Sequence, residues 1–567
     1  MQSSISARTL RGSRLLTLFD EVILPWPYLS LVCLLALQAG VALVTLRNSA
    51  FQDEALYLYA GRQIMTSLRT GAPLSDAFTA YMSGYPYFYP LVGGILDAWG
   101  GVEAARALSL LAMLGVTACV YWVAMQLFGR EAANYAGAIF AFQGSVLFLA
   151  RLATYDASCL LLLALAVVVA LRSSVARPPW IALAIGPMLV TAFLTKYAAL
   201  LWAPSVLAIL AWQTLQNLGW REMCVRCGLA LASLLASAGL ALAVVGASFL
   251  TGLQFSTTNR VIAQEASRAV LAREVIIVGG IALTLSIAGC LLATRGQRLL
   301  ALLLFGSALL APAYHIYKAE PISLDKHIAY GLMFATPLAG YAMARIVSAG
   351  RPVAAGRNVA ASQKWVVGLA ICLTIFMTGI QQAGWQYHIW SDSTEMTAIM
   401  RMLVRPAVGR YLAEDMEVTR YALQDMTESW QWTGVYWFEY TNKAHQRLIG
   451  EDAYKAAIDE GYFDVVELSY GFTAQLSHAI ERELSASGQY ELVAKTPLQN
   501  VYGGGDYWIW RKHTAPGSTT AGQVGAASMT PLAQGSTPAP EPSIPYFTGH
   551  APVRRSLTWS TSGAAPA

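Results

Sequence analysis

The feature that most constrains this chain is the succession of long apolar runs in its first two-thirds. A helix that crosses a bilayer core needs about 20 apolar residues, because each residue advances about 1.5 Å. The clearest such runs are Tyr28–Leu46, Ala105–Leu127, Ala133–Ala150, Ala157–Leu171, Val225–Leu250, Val275–Ala293, Leu299–Tyr317, His327–Ile346 and Trp365–Gly384. Trp180–Trp212 is a further apolar stretch, interrupted by Lys196, and is long enough for two short spans. Lipid offers no hydrogen bonds to an open backbone, so runs of this length fold as helices. The expectation is a polytopic α-helical membrane protein with about eleven spans. Only 13% of the residues are charged, where a soluble domain carries about 25%. An ordinary soluble enzyme is excluded.

Charge is also distributed unevenly. Trp385–Lys512 holds 18 Asp and Glu against 11 Lys and Arg, whereas the rest of the chain holds 15 against 27. A long basic apolar part (residues 1–384) is thus joined to a compact acidic one (residues 385–512). All seven cysteines precede Trp385, so the acidic part has no internal disulfide and must rely on an apolar core. Residues 513–567 are dominated by Ala, Gly, Ser, Thr and Pro, a composition that predicts a disordered low-complexity tail.

Basic residues set the orientation. Arg8, Arg11 and Arg14 precede the first span, and the apolar run after them is too long for a cleaved signal. Arg172 and Arg177, Arg221 and Arg226, Arg295 and Arg298, and Arg345, Arg351, Arg357 and Lys364 fall in alternate loops. The positive-inside rule places all of these in the cytoplasm. An odd number of spans then puts the acidic domain outside, and the chain in the plasma (inner) membrane with a cytoplasmic N-terminus. The longest outer loop, residues 47–103, carries both charge signs and an aromatic cluster of Tyr57, Tyr59, Tyr81, Tyr85, Tyr87, Phe88 and Tyr89. A loop this long in a compact protein usually carries function. Gln254–Glu274 and Lys318–Lys326 are the other prominent outer loops.

The acidic part reads as an α/β domain. Helical patterns at Ser393–Leu403, Asp452–Glu460 and Thr473–Ser487 alternate with strand-like runs at Val418–Leu423, Phe463–Leu468, Tyr490–Ala494 and Tyr507–Trp510. Gly503-Gly504-Gly505 beside the last run reads as a turn, not as a phosphate-binding loop. The aromatic stretch Trp430–Tyr440 suits the core of this domain or a sugar-stacking face. Cys224-x-x-Cys227 is a lone pair without the further ligands that zinc needs.

Ionisable groups at membrane depth are costly and mark functional candidates. Asp53 and Glu54 follow the first span. Ser49 and Gln52 fit a capping box that would start a helix near Ala50, with both carboxylates in its first turn. The helix dipole alone would favour acids there; a general base at the lip of a membrane cavity is the functional alternative. Asp53 and Tyr57, four apart, share one face. Asp156 stands at the outer start of a later span, as a helix cap or as a second acidic site residue. Lys196 breaks an apolar stretch in Leu194-Thr195-Lys196-Tyr197 and could snorkel to the interface. Lys326 and His327 open a span at its N-terminal end, where the dipole disfavours cations. Asp325 could compensate them; a lipid phosphate is the other partner, and Tyr330 lies on the same face as Lys326.

These pieces in this order resemble the GT-C glycosyltransferases, in the bacterial branch related to protein O-mannosyltransferases and to the lipid A aminoarabinose transferase. The resemblance spans residues 48–340: an Asp-Glu pair opening a large outer loop, a second Asp at the outer end of a later span, a Leu-Thr-Lys-Tyr run, and a Lys-x-x-x-Tyr span start. It implies transfer of a monosaccharide from a polyprenyl-phosphate donor to a hydroxyl acceptor (glycan, lipid or protein) at the outer face, with inversion. Asp53, Glu54 and Asp156 take the catalytic positions. Lys326, His327, Tyr330 and Lys196 meet the donor phosphate, and Tyr57, Tyr85, Tyr87 and Tyr89 line the substrate. Arg260 has no clear counterpart. The outer α/β domain departs from the β-trefoil module of the eukaryotic protein O-mannosyltransferases. No cofactor follows from the resemblance, although two acidic positions could hold a divalent cation. The expected partners are the donor, the acceptor and membrane lipids, with no nucleic acid. A transporter or flippase of a lipid-linked amphiphile, or a membrane scaffold, is the competing reading.

Overall fold

The computed structural model describes residues 28–74, 76–80, 82–176, 178–256, 266–348, 359–435, 438–471 and 473–513. The N-terminal arginines Arg8, Arg11 and Arg14, together with Tyr81, Arg177, Arg260, Arg351, Arg357 and the tail 514–567, lie outside the described residues.

Helices build the first part. Among the described residues seven are long and apolar enough to cross a membrane: Tyr89–Phe128, Tyr155–Ser173, Tyr197–Leu218, Trp220–Val245, Arg268–Leu292, Arg298–Lys318 and Val366–Tyr387. Arg130–Ala141 and Gly144–Ala150 form a pair bent by 68° that makes an eighth if counted as one span. Leu29–Thr45 and Pro179–Thr195 are apolar but shorter, and Leu324–Ser348 carries Asp325 and Lys326 in its first turn. The molecule is a multi-pass membrane protein. Many large apolar side chains on these helices face outward, as lipid-facing residues do; Leu231, Leu235, Leu240 and Val244 on Trp220–Val245 are all exposed.

Helix Tyr89–Phe128 is two helices joined at Gly100–Gly101, where Gly101 has φ 68°. Its first segment belongs to the large loop and packs on Gln52–Thr70. The two helices approach so closely that a Cβ on Gly61 would stand 1.8 Å from the Pro90 carbonyl oxygen, so only glycine fits there.

The acidic part carries a five-stranded sheet. Its strands are β1 (Tyr411–Ala413), β2 (Trp432–Thr433), β5 (Val465–Leu468), β6 (Tyr490–Asn500) and β7 (Gly503–Lys512), in the order β2-β1-β5-β7-β6. β1 pairs in parallel with β2 and β5, while β7 runs antiparallel to β5 and β6. A two-stranded ribbon, β3 (Glu439–Thr441) with β4 (Arg447–Ile449), lies apart. Val466, Leu468, Ile480, Leu484 and Phe463 fill one core of the domain.

Three local expectations are corrected. Val418–Leu423 is not a strand: Met416–Ala422 is a helix. Its Tyr421 packs in the cluster of Leu58 and its Arg420 lies over the Tyr59 ring, both on Gln52–Thr70, and that tertiary contact outweighs propensity. The triple glycine is not the turn of the last hairpin. Val501–Tyr502 turn, and Gly503–Gly505 already pair with Leu498–Asn500. Trp432 is a core residue as expected, but Trp430 is exposed, with Arg410 stacked over its ring at 4.4 Å. Helices and sheet belong to one compact unit ending at His513.

Candidate active site

The first expected site residues open the helix Gln52–Thr70. The cap differs from the expected one: Phe51 occupies the N-cap, and Glu54, not Gln52, reaches back to its backbone N–H at 2.9 Å. Neighbouring helix residues point about 100° apart, so Asp53 and Glu54 take opposite fates. Glu54 is fully buried. Its Oε1 accepts from Arg106 Nε at 2.9 Å and from the Ala153 N–H at 2.6 Å, and its Oε2 accepts from Arg106 Nη2 at 2.7 Å. Arg106 also donates to Asn48 O, Ser49 O and Glu103 Oε1. Every Glu54 oxygen is therefore occupied. The side chain ties its own helix start, the Tyr89–Phe128 helix and the turn leading into Tyr155 into one node, and it presents no free edge to a substrate.

Asp53 points the other way. Its side chain is 35% exposed and its Oδ2 accepts from Lys326 Nζ at 2.5 Å. That pair joins residues far apart in sequence, from the loop helix and the start of Leu324–Ser348. Phe51 adds a ring face 5.3 Å from the ammonium. Four residues on, the Tyr330 hydroxyl donates toward the Asp156 backbone carbonyl at 3.2 Å and its Oδ1 at 3.3 Å. Asp156 sits in the first turn of Tyr155–Ser173, just after the N-cap Thr154, whose hydroxyl donates to Asp156 Oδ2 at 3.2 Å.

Lys196 closes the arrangement through an ion pair with Asp156. It does not snorkel: only 5% of it is exposed. The helix that would have carried it outward is broken there. Lys196 is extended (φ −152°, ψ 122°) between Ile185–Thr195 and the 3-10 turn Tyr197–Trp202. The ammonium lies 5.2 Å from the Tyr155 ring and 5.9 Å from that of Tyr330. Tyr57 donates to the Tyr155 hydroxyl at 2.6 Å. Burial, reinforced by the neighbouring Asp53 charge, holds the Tyr57 hydroxyl well above the ordinary phenol range, so it stays protonated. Asp53, Lys326, Tyr330, Asp156, Lys196, Tyr155 and Tyr57 thus form one continuous set of contacts.

His327 stands beside this set. Its Nδ1 lies 2.8 Å from His315 Nε2, and His315 Nδ1 lies 2.7 Å from the Glu320 carbonyl oxygen. The loop tyrosines divide. Tyr85 and Tyr87, with ring centroids 5.3 Å apart and planes tilted by 32°, line a cavity of about 410 Å³. Tyr89 is not among the residues lining that cavity; it is buried edge-on against Tyr155. Each of the two acidic positions, Asp53 and Asp156, already holds an ammonium group, so this donor set does not fit a divalent cation. Among the described residues no group of three His, Cys, Asp or Glu side chains is disposed to hold one.

Arg106, Tyr155 and His315 were not picked out from the sequence. Arg106 was legible in principle, as an arginine within an otherwise apolar run. Tyr155 and His315 carry no such mark, since single aromatic residues at span ends are common.

A family model described as dolichyl-phosphate-mannose-protein mannosyltransferase matches residues 86–242, which include Asp156 and Lys196 but neither Asp53 nor Lys326. No curated protein matches in sequence. Among solved structures, ArnT from Cupriavidus metallidurans bound to undecaprenyl phosphate aligns with a TM-score of 0.57 at 15% identity, over 87% of this chain and 99% of that one. The apo form of the same protein gives 0.56 at 15% identity, over 84% and 97%. At this identity the likeness is one of fold. In fold this chain is similar to ArnT, and over residues 86–242 it is similar to the dolichyl-phosphate-mannose-protein mannosyltransferases.

Proposed function

We propose that this protein is an integral membrane glycosyltransferase. It moves a monosaccharide from a polyprenyl-phosphate donor to an acceptor hydroxyl at the outer face, with inversion. The observation that carries this reading is the meeting of Asp53, Asp156, Lys196, Lys326 and Tyr330 around one place. That undecaprenyl phosphate was seen bound to the ArnT of similar fold supports the donor class.

Two carboxylates and two ammonium groups leave the resting set without net charge. An entering donor phosphate competes with Asp53 for Lys326 and takes over part of its attraction. That frees Asp53, the most exposed acid of the set, to accept the proton of an acceptor hydroxyl. The acceptor oxygen then forms its bond to the anomeric carbon as the bond from that carbon to the phosphate oxygen breaks. The departing lipid phosphate keeps the electron pair and is neutralised by Lys326, a positioned-charge contribution of several kcal/mol in comparable sites. One displacement inverts the anomeric centre. Asp156, only 1% exposed, does not touch the acceptor. It holds Lys196 and Tyr330 in place, as Glu54 holds the helix start, and both are positioning residues.

The topology of this reading has eleven spans. To the seven long helices it adds the bent pair, Leu29–Thr45, Pro179–Thr195 and Leu324–Ser348. Arg172, Arg221, Arg295, Arg298 and Arg345 stand at the ends of their helices remote from the site, which supports a cytoplasmic position for those ends. The site and the sheet then share the outer face, with the 1–384 and 385–512 parts acting together.

The test is Asp53→Asn in reconstituted vesicles, assayed with a short-chain polyprenyl-phosphate sugar. A folded protein without transfer is the expected result, and unchanged transfer removes Asp53 from the reaction. NMR of the product should show the inverted linkage. Movement of the lipid-linked sugar across the bilayer without transfer would favour a flippase instead.

A further inference from the structure

The reaction above needs a place for the acceptor, and one cavity has the chemistry for it. The 410 Å³ space beside the large loop lies within the range of ligand pockets. Its wall includes the neighbouring rings of Tyr85 and Tyr87 together with Thr79 and Asp76. No Lys, Arg or His lines it among the described residues. A phosphate would find no cation there. The lipid phosphate belongs with Lys326 and Lys196, so this cavity suits a different part of the reaction.

Asp76 is held from outside the membrane part. Arg420, buried on the helix Met416–Ala422 of the sheet domain, donates to Asp76 Oδ2 at 3.2 Å and to Ser429 Oγ at 3.3 Å. Its guanidinium lies 4.3 Å from the Tyr59 ring. The aromatic wall is fixed to the site itself. The Tyr85 N–H donates to Leu194 O at 2.7 Å and the Tyr197 N–H to Ser83 O at 2.9 Å, so the loop grips the backbone on both sides of Lys196. Gly84 permits that grip, because a Cβ there would stand 2.2 Å from the Thr195 carbonyl oxygen. Phe78, another wall residue, packs in the same cluster as Tyr57 and Tyr155.

Resting on the transferase reading, we propose that this cavity is the acceptor subsite and takes a neutral saccharide. The tyrosine faces pack on the apolar C–H face of a sugar ring, while Asp76 accepts from its hydroxyls. Arg420 acts as a positioning residue by aiming Asp76, which gives the sheet domain a part in acceptor recognition.

Saturation-transfer NMR on the full chain in nanodiscs tests this, with the methyl glycosides of mannose, galactose and arabinose as probes and inorganic phosphate as competitor. Ring-proton signals are expected for at least one glycoside. Tyr87→Ala, on a half-exposed rim residue whose loss spares the fold, should weaken that binding about tenfold. Asp76→Asn should weaken it as well. Arg420→Gln should raise the acceptor KM with kcat retained, and Arg420→Lys should recover part of the loss. Asp53→Asn should bind the glycosides like the parent protein, which separates failure of this subsite from failure of the proposed base. Absence of any glycoside signal, indifference to both Tyr87→Ala and Asp76→Asn, or displacement by phosphate would each overturn the assignment.

Discussion

Two clusters of carboxylates in this molecule, one at the candidate site and one at the ends of β1 and β5, are treated in opposite ways. At and beside the candidate site three acids are ion-paired: Glu54 with Arg106, Asp53 with Lys326, Asp156 with Lys196. In the sheet domain, Glu414, Asp415 and Glu467 crowd one another at the ends of β1 and β5 without a matching cation. Glu414 is satisfied by the N–H groups of Ser469, Tyr470 and Gly471 and by the Ser477 hydroxyl. Glu467 is fully buried and accepts from the Asp415 N–H at 3.2 Å. The difference follows from the solvent. A lone charge near lipid is costly, whereas a carboxyl buried in the sheet domain can keep its proton or accept N–H and O–H donors.

The comparison breaks most visibly at Arg106. Removing one partner of a fully buried pair costs about 3–5 kcal/mol, so Arg106→Ala should sharply reduce the yield and thermal stability of folded protein in detergent. The pair replaced together, Glu54→Leu with Arg106→Met, should recover more stability than either single change. If Arg106→Ala melts like the parent protein, the node is not structural.

Asp53→Asn probes the exposed counterpart. General-base catalysis contributes about 10²–10⁴ in rate, so transfer should fall by that order. The melting temperature should fall by less than in Arg106→Ala, because Asp53 is partly exposed and the amide oxygen of the variant can still accept from Lys326. A large loss of stability would place Asp53 among the structural pairs.

A smaller effect concerns pH. Burial, with Glu414 and Glu417 adding negative charge nearby, pushes the Asp415 carboxyl up to about 7, and burial with the Asp415 and Glu414 charges raises Glu467. Unfolded carboxyls titrate near about 4. The folded domain therefore keeps protons that the unfolded chain releases between these values. This stabilisation is complete below about pH 4, declines as pH rises toward 7, and is gone above it. Melting of the sheet domain followed by hydrogen exchange should show lower protection at pH 8 than at pH 5, and Asp415→Asn should flatten that slope relative to the parent. A slope unchanged by Asp415→Asn contradicts the assignment. The smallest effect is expected for Tyr57→Phe, which removes one hydrogen bond to Tyr155 and should cost about 1 kcal/mol in unfolding measurements.

Much of this was readable beforehand, for identifiable reasons. The apolar runs announced helices because lipid leaves the backbone few alternatives. Asp53, Asp156, Lys196 and Lys326 stood out because charge near lipid needs a cause. Glu54 was read as a second catalytic acid, since nothing in an Asp-Glu pair says which carboxylate turns inward. Tyr89 was read as substrate-lining for a similar reason, its neighbours Tyr85 and Tyr87 being indistinguishable from it in sequence. The helix Met416–Ala422 was hidden by strand-forming residues, and its identity depends on the surface it meets: the Gln52–Glu417 contact at 3.2 Å and the Tyr421–Asp97 bond at 2.6 Å.

The sequence by itself determined that this chain lives in a membrane, that its charged residues there are few, and in what order they come. Only the tertiary structure decided their partners. An ion pair such as Asp53 with Lys326 depends on how helices distant in sequence pack, and local pattern carries no record of that distance. Apolar periodicity is a property of neighbours along the chain; pairing of charges is a property of neighbours in space.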